Sequence, residues 1–482
     1  MTKTSYICLV LCLLSSTALA RREPPTKQVK QPITEDRFEV RNIEGWTVYL
    51  NRDLKTQHAE QLAKTLEHLK WDLYQIKLAV PAAAVTNMQQ NTPTWMEYSE
   101  RANLSYHPGR GWLLARGYKI PRDPRSMMSL SIRSYHGDSY RHPFVIFHEM
   151  AHGYDFHFIG KGRGYGNKEC QKNYERMMAT KTYEKVQIYH GGKGSHYART
   201  NRMEYFAESS EAYFAINDIY PFVRAELREH DPKMARLIER YWGVDAARIV
   251  ALEKALAAYQ KRPAIVARAA KTPAATSQYD KRDFAGWTVY VSPELTAQPG
   301  LCTTMTKILA YKLHVIDHFA GPKGAELLHS IPVWLEIGQT GPYVRYCGDK
   351  SALKSQNANP DKYQAVEVRD PQRMIDFSML QQADVLGAVA MAYYDRNPKL
   401  AAKTGEAYAK AKAGGKYKSV LRFDGKRPAH PAISSQKRYF AEMMKSYFLV
   451  NDRYPFIRCE LKDQDPLGYK LIADLWEGEP RR

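Results

Sequence analysis

The apolar pattern of the chain changes its period several times. A short alternating run around Gly45-Trp46-Thr47-Val48-Tyr49 predicts a strand, because side chains of an extended chain point to opposite faces in turn. Gln57 to Leu78 then carries apolar residues at helical spacing and predicts a long amphipathic helix. Strand-like segments are expected around Trp95, over Trp112 to Leu114 and over Met127 to Ser134; the pattern beyond them is mainly helical. Pro143 suits a first helical position and predicts a helix through about Phe158, whereas Thr200 or Asn201 can cap a later helix that ends before Pro221. This order predicts an α+β domain, mainly helical with a small sheet.

The order is written twice. Gly45-Trp46-Thr47-Val48-Tyr49-Leu50 returns as Gly286-Trp287-Thr288-Val289-Tyr290-Val291, and Pro93-Thr94-Trp95-Met96-Glu97 as Pro332-Val333-Trp334-Leu335-Glu336. Tyr205-Phe206-Ala207-Glu208 returns as Tyr439-Phe440-Ala441-Glu442, and Tyr220-Pro221-Phe222 as Tyr454-Pro455-Phe456. The repeat implies a tandem duplication with copies at 37–261 and 281–482, joined by an Ala-, Pro- and Thr-rich linker at 262–280.

Composition narrows the class. Hydrophobic residues make up 44% of the 482 positions and aromatic residues 12%, enough core for two or three domains and too much for a largely disordered chain. Lys3 precedes an apolar run, Tyr6 to Leu14, leading to Ala18-Leu19-Ala20, so residues 1–20 are expected to be a cleavable export signal and 21–36 a polar tether. A secreted or periplasmic location follows, and no later segment is apolar enough for a membrane span. Export permits disulfides among Cys170, Cys302, Cys347 and Cys459, with nothing in the sequence to choose a pairing. The net charge of +20 favours acidic surfaces or polymers. Nucleic acid is not an expected partner, because the chain has no helix-turn-helix, zinc-finger or RNA-binding signature.

His148-Glu149-Met150-Ala151-His152 supplies the candidate chemistry. Residues four apart project from one side of a helix, so both imidazoles can hold one zinc ion, while Glu149 on the adjoining face can serve a nearby water as general base. Phe144, Phe147, Ala151 and Tyr154 give the same helix an apolar stripe to bury. A third ligand must come from elsewhere: the longer zinc motif with Gly at 155 and His at 158 is excluded by Asp155 and Phe158. The best donor segment is Tyr197 to Glu208. Glu204 and Glu208 lie one turn apart, so one carboxylate can bind zinc and the other can accept a hydrogen bond from a ligating histidine.

Residues 148–155, His-Glu-Met-Ala-His-Gly-Tyr-Asp, together with Tyr197 to Glu208, resemble the anthrax lethal factor type of gluzincin metallopeptidase, a family that also includes secreted proline-specific endopeptidases. The resemblance implies a zincin-like fold, zinc held by His148, His152 and Glu204, and peptide hydrolysis with Glu149 as base. It places Glu208 and Asp155 beside the metal site and makes Tyr197, seven residues before the ligand glutamate, the donor to the oxyanion. The second copy lacks this equipment: Val389, Ala390, Tyr393 and Arg438 stand where His148, Glu149, His152 and Glu204 do, and Pro431 falls opposite Tyr197. It is expected to be a degenerate, non-catalytic support. The basic stretch 160–194, with Lys161, Arg163, Lys168, Lys172, Lys181, Lys185 and Lys193, is expected to line the cleft in part and favour acidic protein or cell-surface substrates. The rival expectation is a secreted binding protein for an anionic surface with a vestigial zinc site.

Overall fold

The computed structural model describes residues 37–99, 104–107, 127–165, 167–260, 273–337, 342–378 and 380–476. The expected signal, the tether, most of the linker and the strand expected at 112–114 lie outside them. Strand β1 (Phe38–Ile43) pairs antiparallel with β2 (Trp46–Asn51) through a two-residue turn. Glu44 and Gly45 both take positive φ, 52° and 101°, the left-handed pair whose twist matches that of the flanking strands. Gly45 also has no room for a Cβ, because the Gln89 side chain occupies that space and donates to the Glu44 carbonyl at 2.9 Å.

Helix α1 (Ala59–Ala79) follows, two residues later than the pattern predicts, because Leu54–Gln57 forms a separate short turn of helix. It buries Leu62, Leu69, Leu73 and Ile76 in one cluster with Trp46, Val48 and Leu50 of β2. Helix α2 (Ala82–Asn91) leads into β3 (Thr94–Glu97), which runs parallel to β2. A short strand, β4 (Ser105–His107), forms the edge of the sheet; it pairs antiparallel with β5 (Met127–Ser131), itself parallel to β3. The order is therefore β1-β2-β3-β5-β4. The sequence pattern did not predict β4.

The next helices carry the motif residues: α3 (Val145–Tyr154) and α4 (Arg202–Phe214), with a small hairpin of β6 (Val186–Gln187) and β7 (Lys193–Gly194) between them. The second half forms β8 (Asp280–Phe284), β9 (Trp287–Val291), β10 (Val333–Leu335), β11 (Val344–Tyr346) and β12 (Val366–Val368) into a sheet of order β8-β9-β10-β12-β11. Strand for strand, the order and the parallel or antiparallel sense match those of the first sheet. Ala285 and Gly286 repeat the positive-φ turn. Helices α5 (Pro299–His329, broken at Gly321), α6 (Asp384–Arg396) and α7 (Gln436–Phe448) pack over this half. The protein is α+β with helices predominating.

The halves share their cores. Trp71, Tyr74 and Leu256 of the first half join the apolar cluster of the second, and Leu421, Phe456, Ile457 and Cys459 of the second join that of the first. Burying a side chain such as Trp71 contributes on the order of 2 to 3 kcal/mol, so this exchange fastens the halves by apolar burial. At the edge of the contact, the Lys307 ammonium sits 2.7 Å from the Glu44 carboxylate at the hairpin tip. Cys170, Cys302, Cys347 and Cys459 are free and buried, so none of the possible disulfide pairings is used. Among the described residues no helix is long and apolar enough to cross a membrane.

Two short helices, Arg224–His230 and Arg458–Gln464, start alike: Glu226 accepts from the Phe222 amide at 2.8 Å, and Glu460 from the Phe456 amide at 2.7 Å. These two buried carboxyls also meet each other across the halves. Burial raises the pKa of both, and the neighbouring Glu226 charge adds to it at Glu460, which is held well above the carboxylate range. A raised carboxyl pKa stabilises the fold below the unfolded value, a contribution lost as pH rises through the folded one. Urea midpoints measured across pH should therefore fall toward alkaline pH, and Glu460→Gln should flatten that slope; an unchanged slope in the variant would refute the shared-proton contact.

Candidate metal centre

Helix α3 exists because its apolar stripe is satisfied. Phe144, Phe147, Ala151 and Tyr154 are all buried, and the Tyr154 ring stacks on Trp242 at 4.1 Å. Pro143 lies in the preceding turn, so α-helix begins at Val145, with Phe144 at its cap. Beyond Tyr154 the chain continues as a wider helical turn, Asp155–Ile159, so helical structure does reach the predicted end. Gly153 permits a close approach: a Cβ there would overlap the Thr92 side chain and lie 3.2 Å from the Tyr106 ring. That approach brings the edge strand β4 onto the motif. The Tyr106 backbone amide consequently donates to Glu149 Oε2 at 2.5 Å.

The partner helix α4 is capped by Asn201, whose side chain accepts from the Met203 and Glu204 amides at 2.8 and 3.0 Å. Glu204 thus sits in the first turn, where the helix dipole favours a carboxylate. Its Oε2 lies 3.0 Å from His148 Nε2 and 3.1 Å from His152 Nε2. The three expected ligands therefore converge, with their ligand atoms all within 4.8 Å of one another. Tyr197 sits on a short helical turn, Tyr197–Arg199, half exposed, with its ring 6.4 Å from that of His148. Burial together with the Glu204 charge raises its phenol pKa, which keeps the hydroxyl a donor. Glu149 and Tyr197 line the same cleft, about 680 Å³ in volume.

The expected hydrogen-bond acceptor for a ligating histidine is Glu211 rather than Glu208. Glu211 Oε2 lies 2.9 Å from His148 Nδ1 and its Oε1 lies 2.8 Å from His142 Nε2. Glu208 stands back, 3.7 Å from His148 Nδ1 and 3.6 Å from His196 Nδ1. The physical reason is helix rotation: positions 204 and 211 are seven apart, nearly two full turns, and so return to the same face more closely than a four-residue step does. A run of Glu at 204, 208 and 211 on an otherwise apolar helix was the signal for this in the sequence. Asp155, expected beside the ligands, feels the charge of His152 and also accepts from Arg202 at 2.9 Å, which ties the end of α3 to the start of α4.

Charge is concentrated here. Burial pushes the Glu208 carboxyl up to about 8, with repulsion from Asp218 adding to it. Burial would also raise Glu211, but the facing His142 and His148 outweigh it and hold it below the usual range. His142 is pushed up to about 9: burial opposes the shift, and Glu211 and Asp218 overcome it. These groups test whether a metal fits. With the His148 Nδ1–H donated to Glu211, Nε2 faces a carboxylate oxygen that carries lone pairs, a contact that is favourable only with a proton on that nitrogen or a cation between the two. Edges of about 3.3 Å are expected for a tetrahedron with bonds near 2.0 Å, so the observed spacing suits zinc.

The basic side chains expected in the cleft lie elsewhere. Of the described residues 160–194 only Tyr165 lines it, and among the described lining residues the Lys or Arg is Arg141, accompanied by Asp138 and Asp218. In the second half, at the positions that the sequence repeat aligns with His148, Glu149 and His152, Val389, Ala390 and Tyr393 are buried. Lys445 stands where Glu211 does and places its ammonium 2.9 Å from Glu442 and 2.6 Å from Asp452, while Arg438 lies 2.9 Å from Glu442. No family model, curated protein or solved structure matches the chain.

Removing Glu211 leaves the buried His148 and the partly buried His142 without their acceptor. Glu211→Ala should destabilise the protein by about 3 to 5 kcal/mol, the usual cost of breaking a buried charged pair. The measurement is urea denaturation against the unaltered chain, and a loss below about 1 kcal/mol would mean that the network contributes little.

Proposed function

We propose that this chain is a zinc-dependent peptidase with its active site in the first half, built as two tandem copies of a zincin-like unit of which the second has lost the metal. The convergence of His148 Nε2 and His152 Nε2 on one oxygen of Glu204, with Glu149 alongside in the same cleft, carries this reading. His148, His152 and Glu204 would hold the ion. Zinc bound there supplies Lewis acidity, which makes a nearby water more acidic and polarises a peptide carbonyl.

The chain's own residues do the rest. Glu149 accepts a proton from the attacking water and can return it to the departing amine; the Tyr106 amide fixes the carboxylate for that task. Tyr197 donates its hydroxyl to the oxyanion as the carbonyl is attacked. Glu211 holds the His148 ring in one tautomer, and the Asp155–Arg202 pair holds the two helices in register. The matched strand order of the two sheets supports the duplication. The replacement of Glu204 and Glu211 by Arg438 and Lys445 supports a second copy that neutralises its buried acids with attached cations. The N-terminal apolar run supports export, and a polypeptide is the substrate class.

The test is hydrolysis of a peptide library with and without a chelator, combined with metal analysis. Glu149→Gln should retain zinc and lose about 10²- to 10⁴-fold in turnover. Tyr197→Phe should lose about 10²- to 10³-fold in kcat, as expected when one oxyanion donor is removed. Undiminished cleavage by Glu149→Gln, or hydrolysis that survives complete metal removal, would overturn the proposal.

A further inference from the structure

A second group of imidazoles lies away from the cleft, where the halves pack together. Helix α1 presents His68 and, one turn later, Asp72; helix α5 presents His314 and, one turn later, His318. The short helix Tyr135–Arg141 adds His136 beside them. The ligand nitrogens of His68, His136 and His318 all lie within 4.8 Å of one another. Their rings are correspondingly close: centroids are 4.4 Å apart for His68 and His318, 5.0 Å for His136 and His318, and 5.4 Å for His68 and His136.

Apolar packing alone does not account for this arrangement. His68 is only 5% exposed, and neither of its ring nitrogens has a hydrogen-bond partner. His136 Nδ1 and His314 Nε2 are likewise buried without one. Buried polar groups are nearly always paired, so the unpaired nitrogens of His68 and His136, in a cluster whose third member His318 meets the Ser139 hydroxyl at 3.3 Å through Nε2, indicate a missing partner. Asp72 Oδ2 lies 3.4 Å from His68 Nε2, outside hydrogen-bond geometry, and accepts instead from the Tyr135 hydroxyl at 2.5 Å. A small cavity of about 40 Å³ touches His68, Asp72, Ser139, His314 and His318. This volume admits an ion with a water molecule.

The lining of the cavity suits a cation: His68, His314 and His318 face it together with Asp72, and a neutral imidazole offers a lone pair.

We propose that His68, His136 and His318, with Asp72 beside them, form a second metal site that bridges the two halves and takes an imidazole-preferring divalent ion of the zinc type. Two facing helices with ligands one turn apart are a common way to build such a site inside a bundle. Three imidazoles and one carboxylate are a donor set suited to zinc. Bonds near 2.0 Å require the stacked rings of His68 and His318, now 21° from parallel, to rotate about their side-chain bonds when the ion binds. The role is structural: the ion adds a coordinate link between α1 and α5, on top of the apolar exchange and the Lys307–Glu44 pair. The proposal does not rest on the peptidase reading.

The experiment uses the full chain carrying His148→Ala and His152→Ala, which removes the centre in the cleft. After dialysis against zinc, mass spectrometry should find about one equivalent bound, and Co2+ in its place should show the intense visible bands of a tetrahedral site. The thermal midpoint should rise with added zinc. Adding His318→Gln should abolish the bound equivalent, the Co2+ bands and the zinc-dependent shift; if that variant does not fold, His136→Gln at the half-buried edge replaces it. A doubly substituted chain that binds no zinc, or one whose zinc survives both His318→Gln and His136→Gln, would overturn the second site and leave the first untouched.

Discussion

Two imidazole nitrogens and a carboxylate oxygen meet between α3 and α4 with separations of 3.0 and 3.1 Å, and the other side of one of those rings is already bound to a second buried carboxylate. Such an arrangement is stable only with positive charge at its centre. Much of the first half can be read as the means of holding that arrangement together. The apolar stripe of α3 anchors the motif helix, Asn201 sets where α4 begins, and Arg202 with Asp155 locks the two helices to each other. Gly153 lets the edge strand approach, and so a backbone amide rather than a mobile side chain positions Glu149.

The second half meets the same electrostatic demand differently. Glu442 and Asp452 are both buried, as Glu208 is in the first half, whereas Asp218 is partly exposed, and a buried carboxylate needs a compensating cation. Lys445 provides it from within the same helix, close enough to Gly387 on α6 that a Cβ there would lie 3.1 Å from the lysine chain. Burial would raise Glu442, but Lys445 and Arg438 overcome it and bring the group down to about 2. Attached ammonium and guanidinium groups thus occupy the role that protons or a metal ion must fill between α3 and α4. An open metal-binding cleft is incompatible with that solution, because the cations are covalently part of the wall.

How much of this could be read from sequence depends on the distance over which each interaction acts. The strand around Trp46, the two motif helices and the shared face of His148 and His152 follow from local periodicity and from spacing along a helix, and these are legible; the choice of Glu204 over Glu208 comes from the resemblance, and the pairing of β1 with β2 is not read from the pattern. Glu211 does not stand out in the sequence because Glu204 and Glu208, one turn apart, already satisfy the spacing of two cooperating carboxylates, whereas the closer match in direction comes after seven residues. Strand β4 has only three residues and carries no alternation long enough to register, yet its amide orients Glu149. The basic stretch 160–194 reads as a cleft wall because charge is visible in a sequence while its direction is not; of its described residues only Tyr165 reaches the cleft. The histidines between the halves were beyond reach for the same reason, since their meeting depends on the packing of α1 against α5.

That packing also limits how the second half can influence the first. The described residues lining the cleft all come from the first half, so the second cannot act by touching a ligand there. Its route is the short helix Tyr135–Arg141. At one end of it His136 meets His68 and His318, and the Tyr140 hydroxyl donates to the His318 carbonyl at 2.9 Å; farther along, Asp138 and Arg141 form part of the cleft wall. His142, the next residue, shares Glu211 with His148. A movement of α5 relative to α1 would therefore reach the His148 ring through one rigid turn of helix and one shared carboxylate. Contact through this turn of helix, rather than any described residue in the cleft, is what joins this part of the second half to the His148 ring.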